Sequence, residues 1–342
     1  YTLTDQHLKE ARAALAKHGS QAKAAKALGI ERSTLARRLR IADERLKETP
    51  PEIELPDFPD EDLPIEDIIG HMAKRFKKRQ ASYDAHTWFP VKVRDKKPIG
   101  VLWFGDPHVD DNGCNWDAVL RDTDLCKATE GLYGANIGDT TNNWAGRLVK
   151  LYANQDTSAK TARDLAAWFM LKSGVKWLIF LTGNHDQWGD GATILAQMAK
   201  LHGTQSITVH DWEARFSLSF PNGAEFRVWA AHDFPGSSQW NPLHGPLKAS
   251  KMGAEADLYV CGHKHNWGVF TYENAERGLT QNVIRVRGYK FLDDYARRLG
   301  IAEQQGGCSV LTVFDPATRK VYAFEDVVMG AEFLTFLRNK AS

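Results

Sequence analysis

The spacing of apolar positions changes character several times along the 342-residue chain. In the first fifty residues Leu8, Ala11 and Leu15 recur at helical intervals, and "KHGS" ends that stretch with Gly19, after which Ser20 can cap a second helix. The segment "QAKAAKALGIERSTLARRLR" predicts a short Ala-rich helix ending at Leu28, a turn at Gly29 with Ile30 beneath it, and a helix starting near Ser33 held from behind by Leu35 and Leu39. Residues 1–50 therefore predict a small all-α helix-turn-helix domain. "ETPPEIELPDFPDEDLP" follows, with five prolines among acids, and predicts an extended acidic linker over residues 51–70. A basic connecting helix is expected within residues 71–97, where "HMAKRFKKRQ" continues a face made by Ile68, Ile69, Met72 and Phe76. From Pro98 the texture becomes short apolar strands alternating with helical stretches, which predicts an α/β domain over residues 98–342.

Charge sharpens this division. The net charge of +1 conceals blocks of opposite sign: residues 1–50 hold 11 Lys/Arg against 6 Asp/Glu, residues 51–70 hold 8 acids and no base, and residues 71–97 hold 9 bases against 2 acids. Such blocks indicate separate modules and a polyanion-facing basic end. A composition of 43% hydrophobic and 25% charged residues is ordinary for a globular chain. No apolar run approaches the roughly 20 residues that cross a bilayer, so a soluble, cytoplasmic protein with no membrane partner is expected. Four cysteines without C-x-x-C spacing predict isolated reduced thiols.

The candidate chemistry sits where strands end. "IGVLWFGDPH", "YGANIGD", "VKWLIFLTGNHD", "EFRVWAAHDF" and "DLYVCGHKH" each finish an apolar run in polar residues: Asp106 and His108, Asp139, Asn184 with His185 and Asp186, His232, and His263 with His265. Ligands gather at the carboxyl ends of strands in α/β sheets, so five clusters along one rim point to a single pocket. Gly105, Gly138, Gly183 and Gly262 suit turns where backbone approaches a ligand closely. Carboxylate, amide oxygen and imidazole without thiolate suit divalent ions, with Mn²⁺ expected and Fe²⁺, Zn²⁺ or Ni²⁺ as alternatives. Two such ions roughly 3.5–4 Å apart can share a carboxylate, hold a hydroxide and clamp a phosphoryl group, which is the chemistry of phosphoester hydrolysis.

Residues 98–270 resemble the calcineurin-like metallophosphoesterase superfamily, on D-x-H at Asp106 to His108, G-D at Gly138-Asp139, G-N-H-D at Gly183 to Asp186, a single His at His232, and G-H-x-H at Gly262 to His265. The resemblance implies a four-layer αββα sandwich. It also implies that Asp106, His108 and His265 bind one metal, that Asp139 bridges, and that Asn184, His232 and His263 bind the second. His185 would donate to the phosphoryl oxygen or leaving group, with Asp186 orienting its ring. "GDTTNNWAG" departs from the G-D-x-x-D-R-G of the Ser/Thr phosphatases and lacks the Tyr of purple acid phosphatases, so neither branch fits.

The N-terminal "LGIERSTL" is similar to the Fis-type helix-turn-helix, which implies DNA contact through Arg32, Ser33, Thr34, Arg37 and Arg38; a protein-contact or dimerisation domain fits the same pattern, and a homodimer is one expectation. Placed before a phosphoesterase, and with the tail "DDYARRLGIAEQQGG", this head resembles enzymes encoded by phages and prophages. Trp144, Trp188, Trp240 and Trp267 lie near the metal motifs and could stack unpaired bases or simply anchor loops. Trp188, Trp240, Asn241 and His244 are the candidate substrate contacts. Three functions remain open on sequence: a metal-dependent nuclease or phosphodiesterase acting on DNA, a phosphomonoesterase or small-nucleotide phosphatase localised by its head, and an inactive DNA-binding regulator. The complete set of ligand types argues against the last.

Overall fold

A computed structural model describes residues 3–46, 63–201, 207–291 and 306–341. The chain divides into two compact units, Tyr1–Met72 and Ala73–Ser342. Among its described residues the first contains α1 (Asp5–His18), α2 (Gln21–Ala27), α3 (Arg32–Leu46) and the first turns of a fourth helix. Gly19 takes φ 65° to end α1, and the Ser20 hydroxyl accepts the Lys23 N–H to start α2. Ala11, Ala14, Ala24, Ala25, Leu35 and Leu39 form its core, so the small residues let the helices cross closely as the spacing predicts. Arg32, Ser33, Thr34 and Arg37 are exposed. Arg38 is not: only 5% of it is accessible. It follows Leu35 by three residues and precedes Ala42 by four, so helical geometry turns it onto the buried stripe, and it is withdrawn from the exposed face expected of it.

Helix α4 (Ile65–Ala85) begins inside the segment expected to be linker and ends well short of residue 97. Pro64 starts this helix rather than breaking it, because a first-turn position leaves its missing N–H unneeded; its carbonyl accepts the N–H groups of Asp67 and Ile68. Most of the proline-rich acidic stretch lies outside the described residues, as does most of "DDYARRLGIAEQQGG".

The rest of the chain alternates strands and helices: β1 (Phe89–Lys92), β2 (Ile99–Phe104), α5 (Trp116–Ala128), β3 (Leu132–Asn136), α6 (Ala159–Ala167), β4 (Trp177–Thr182), the short α7 (Asn184–Gln187), α8 (Gly191–Leu201), β5 (Val209–Asp211), β6 (Glu213–Ser219), β7 (Glu225–Ala231), α9 (His244–Met252), β8 (Leu258–Cys261), β9 (Gly268–Asn274), β10 (Leu279–Arg285), β11 (Ser309–Asp315), β12 (Lys320–Phe324) and α10 (Val327–Lys340). They build two six-stranded sheets, ordered β12-β11-β2-β3-β4-β5 and β1-β6-β7-β8-β10-β9. The sheets bury a shared apolar layer that includes Val101, Trp103, Ile179, Phe216, Val228 and Ile284. Outside the first sheet, Val119, Ala166, Leu195 and Leu334 bring α5, α6, α8 and α10 onto its other face. Leu247 and Ala249 do the same for α9 against the second sheet. The architecture is therefore a four-layer α/β sandwich with an all-α head, as expected.

The polar strand ends do not share one sheet's rim. β2, β3 and β4 run parallel in the first sheet, while β7 and β8 run parallel in the second. The site forms where the carboxyl ends of these two sets meet. Strand pairing is non-local, and a run of apolar residues does not encode which sheet it joins. The four cysteines are free, and among the described residues no helix is long and apolar enough to cross a membrane.

Candidate metal centre

The turns after these strands are held by backbone bonds between elements. His108 N–H donates to Asp139 O at 3.0 Å, Gly262 N–H to His232 O at 3.0 Å, and His232 N–H to Trp212 O at 2.8 Å. Asp106, His108, Asp139, His263 and His265 all adopt positive φ, between 20° and 71°. Each such residue costs about 1–3 kcal/mol and persists where its surroundings over-determine it. Five of them converging in one place mark a site built at the expense of local stability. Gly138 and Gly183 permit the convergence. A Cβ on Gly138 would lie 2.6 Å from Gly183 N, and one on Gly183 would strike Asp139 Oδ1. The close approach is thus to the site's own carboxylate and histidine, rather than to a ligand.

The side chains expected to bind metal come together. His232 Nδ1 lies 2.9 Å from the Ile137 carbonyl, so in its neutral form Nδ1 donates there and the Nε2 lone pair faces inward. Around that nitrogen stand Asn184 Oδ1 at 3.0 Å, His263 Nδ1 at 3.1 Å and Asp139 Oδ2 at 3.3 Å. Asp139 Oδ2 also lies 4.0 Å from His108 Nε2, and Asp106 Oδ2 lies 3.9 Å from His265 Nε2. Asp139 therefore stands between the two expected ligand sets. His108, Asp139 and His185 form one group whose ligand atoms lie within 4.8 Å of one another, and Asp139, His232 and His263 form another. His185, expected just outside the metals, is near enough to belong to the first group.

This environment fits cations. Asp106, His108, Asp139 and His232 are at most 1% exposed, and Asp106 Oδ1 and His108 Nδ1 are buried with no hydrogen-bond partner among the described residues. Burial raises the Asp106 carboxyl's pKa above the carboxylate range. Asp139 is held low: burial opposes its ionisation, but His232, His185 and His108 outweigh it. Burial likewise resists charge on His232, yet Asp139, aided by Asp106, pushes it up to about 9. Burial lowers His108 and His263. The Asp139 carboxylate in a dry layer thus recruits a proton onto the His232 imidazole, burial keeps a second proton on Asp106, and a divalent cation would meet the same demand for positive charge.

His185 is mounted differently from expectation. Its Nδ1 donates to the Asn142 carbonyl at 2.5 Å, and its backbone N–H donates to Asp139 Oδ1 at 2.8 Å. Asp186 does not orient the ring. Its carboxylate accepts the N–H groups of Gly183 at 2.9 Å and Thr140 at 3.1 Å, binding the third strand-end turn to the second. Asn142 is clamped in turn by residues that the sequence reading missed. Asp110 Oδ1 accepts the Asn142 N–H at 2.7 Å, Gln155 holds Asp110 Oδ2 at 2.8 Å, and the Asn142 amide donates to Asp111 and Gln155. The doubled acid of "HVDD" and the doubled amide of "TTNNW" were the available signals.

Of the tryptophans, Trp188 and Trp144 flank the His185 ring at 4.2 and 5.1 Å between centroids, and Trp144 Nε1 donates to Gln155. Trp212, which was missed, meets His232 edge-on at 5.1 Å. Trp267 packs against Gly307, whereas Trp240 is 92% exposed. Asn241 Oδ1 accepts the Leu243 N–H and shapes the turn into α9, which His244 begins. Arg285, fully buried and also missed, donates to the carbonyls of Pro242 and Gly262 and pairs with Asp233 at 3.0 Å, fixing the last ligand turn.

Residues 12–40 match the family described as bacterial regulatory protein, Fis family. No curated protein matches the chain. Among solved structures, the NAD nucleotidase NadN of Haemophilus influenzae aligns with a TM-score of 0.36 and 12% identity, over 66% of this chain and 49% of its own. The chain thus spans about half of that protein's length. GAP50, the anchor in the inner membrane complex of Plasmodium, aligns at 0.34 and 11% over 68% and 86% of the two chains. A metallophosphoesterase from Sphaerobacter thermophilus aligns at 0.29 and 13% over 66% and 87%. Scores at this level assign no activity to the chain.

Two outcomes follow from this geometry. Gly183→Ala should abolish divalent-ion binding measured by calorimetry while leaving the far-ultraviolet circular dichroism unchanged, since the added methyl displaces Asp139 and His232; wild-type affinity in this variant would contradict the packing described. Below about 9 a cation must displace the proton on His232, whose pKa lies above its usual 6.5. Metal affinity should therefore rise with pH between 6.5 and 9, by about tenfold per unit for each proton displaced. An affinity flat across that window would contradict the assignment.

Proposed function

We propose that this protein is a phosphoester hydrolase that works with two divalent cations and cleaves phosphodiester bonds in DNA. Asp106, His108 and His265 hold one cation, Asn184, His232 and His263 hold the other, and Asp139 serves both. The observation that carries the reading is the crowding of carboxylate, amide-oxygen and imidazole lone pairs around Asp139, next to a buried Asp106 oxygen that accepts no hydrogen bond among the described residues. Manganese suits this mixed oxygen and nitrogen set; Fe²⁺, Zn²⁺ and Ni²⁺ are the alternatives. Such a pair of ions, when bound, supplies a nucleophile at neutral pH and charge neutralisation for a phosphoryl group.

The chain's own residues supply the remainder. Asn142 fixes the His185 tautomer so that Nε2 can exchange a proton with a substrate oxygen. Trp144 and Trp188 limit water around that ring and offer aromatic surface for an unpaired base. Arg32, Ser33, Thr34 and Arg37 lie on the exposed side of α3, where they can meet phosphates and base edges. A location inside the cell, on DNA, accords with this reading.

Purified protein with Mn²⁺ tests it against bis-p-nitrophenyl phosphate, p-nitrophenyl phosphate and labelled single- and double-stranded DNA. Cleavage of the diester and of DNA is expected; turnover of the monoester alone would overturn the nuclease reading, and inactivity with every metal would overturn the hydrolase. Asp139→Ala and Asn184→Ala should lose metal and turnover together. His185→Ala should retain metal and slow catalysis by about 10²–10⁴-fold. Replacing Arg32 and Arg37 by Ala should weaken DNA binding, with a shallower salt dependence, while sparing hydrolysis of the small diester; unchanged affinity would remove the head from DNA recognition.

A further inference from the structure

Three consecutive residues beyond the turn after β3 hold His185. The Asn142 carbonyl accepts its ring proton, the Asn143 amide donates to its backbone carbonyl at 2.9 Å and to that of Trp188 at 2.7 Å, and the Trp144 ring meets its ring edge-on at 5.1 Å. From Trp144 the chain makes an excursion through a 3₁₀ helix at Gly146–Asn154 and returns at Gln155. The returning end docks on the segment that follows His108. There the Thr157 hydroxyl donates to the Asp110 carbonyl at 2.7 Å, and the Asp156 N–H donates to Asn112 Oδ1 at 3.3 Å.

Gln155 stands where these three segments meet, and its side chain fills every hydrogen-bonding position it has. Oε1 accepts the Asn142 amide at 3.0 Å and the Trp144 indole N–H at 2.9 Å, while Nε2 donates to Asp110 Oδ2 at 2.8 Å and to Thr157 Oγ1 at 2.6 Å. A reversed amide would set donor against donor and oxygen against carboxylate, so the neighbours fix its orientation. Asp110, gripped on one oxygen, accepts the Asn142 N–H on the other at 2.7 Å. We propose that Gln155 is a positioning residue for the hydrolysis proposed above, acting on His185 from both ends of the segment that holds it. Through Asn142 it keeps the carbonyl aimed at His185 Nδ1, which leaves Nε2 for the substrate. Through Trp144 it keeps an indole against the imidazole, which fixes the plane of the ring. The kinetic part of the inference rests on His185 exchanging a proton with substrate; the placement of the ring does not. Misplacing a catalytic group by about 1 Å can cost about 10²-fold in rate, so a residue with no part in the chemistry can govern it.

A double-mutant cycle on the full-length protein, with Mn²⁺ and bis-p-nitrophenyl phosphate, reads this coupling. Gln155→Leu removes the polar atoms and should lower kcat by about 10–100-fold, with KM and the calorimetric Mn²⁺ affinity within about twofold of wild type. In a His185→Ala background the same change should cost less than about twofold, because the residue it acts through is gone. Losses that add across the cycle would make Gln155 merely structural and overturn the proposal, as would full activity of Gln155→Leu. Gln155→Glu alone sets two carboxylates together and should be as slow. Combined with Asp110→Asn it restores the contact with donor and acceptor exchanged, and should regain most of the lost rate; a pair as slow as Gln155→Glu alone would overturn the proposal, and this pair decides the matter if Gln155→Leu does not fold. Nitrogen-15 shifts of selectively labelled histidine in the Zn²⁺-loaded protein, assigned by the signal that His185→Ala removes, read the ring without turnover. The proton is expected on Nδ1 in the wild type and shared between both nitrogens in Gln155→Leu. A wild type inactive with every metal would remove the hydrolytic reading while that change in the ring still upheld the placement; a ring identical in the two proteins would overturn the placement itself.

Discussion

Asp106 and Asp139 end adjacent parallel strands in a layer that water does not reach, and His232 stands within 3.5 Å of both carboxylates. Two carboxyl groups in so dry a place can ionise together only with positive charge beside them; otherwise burial leaves a proton on Asp106 and only Asp139 is charged. The remaining features of the centre serve that requirement. β7 delivers His232 from the opposite sheet, the Ile137 carbonyl fixes its tautomer, and Asn184 and His263 close the ring of donors around its inner nitrogen. Without a cation, protons on His232 and Asp106 are the compensation; in the function proposed, cations would take their place and the same atoms would be the ligands.

That arrangement opposes local stability. Five of the candidate ligand residues take positive φ, and Gly183 cannot accept even a methyl group without displacing Asp139. Regular structure offsets the strain, because both sheets bury their facing sides in one continuous apolar layer. The turns therefore project from ends of strands that cannot shift. Asp186 and Arg285 add rigidity from two sides by binding turn backbone, one at Gly183 and Thr140, the other at Gly262.

Much of this was legible in the chain because the chemistry follows directly on apolar runs. That Asp106, His108, Asp139, Asn184, His232, His263 and His265 would be brought together could be read from five short segments, and so could the alternation of strand and helix after Pro98. What could not be read depends on distance or direction. The support for His185 is a backbone carbonyl 43 residues away, which leaves no mark on residue type, so the adjacent Asp186 was the natural but mistaken choice. Arg38 looked like part of a polar face by its chemistry, yet the helical period turns it inward. Pro64 looked like an interruption and proved to be a beginning. The division of five strand ends between two sheets, three and two, followed from pairing partners far apart in sequence.

Anomalous diffraction from crystals soaked in manganese, collected on both sides of the metal's absorption edge, examines the centre most directly. The account predicts two peaks flanking Asp139, one near His108 and one among Asn184, His232 and His263. Crystals that stay free of anomalous signal there, or that place manganese only on the acidic surface, would contradict it.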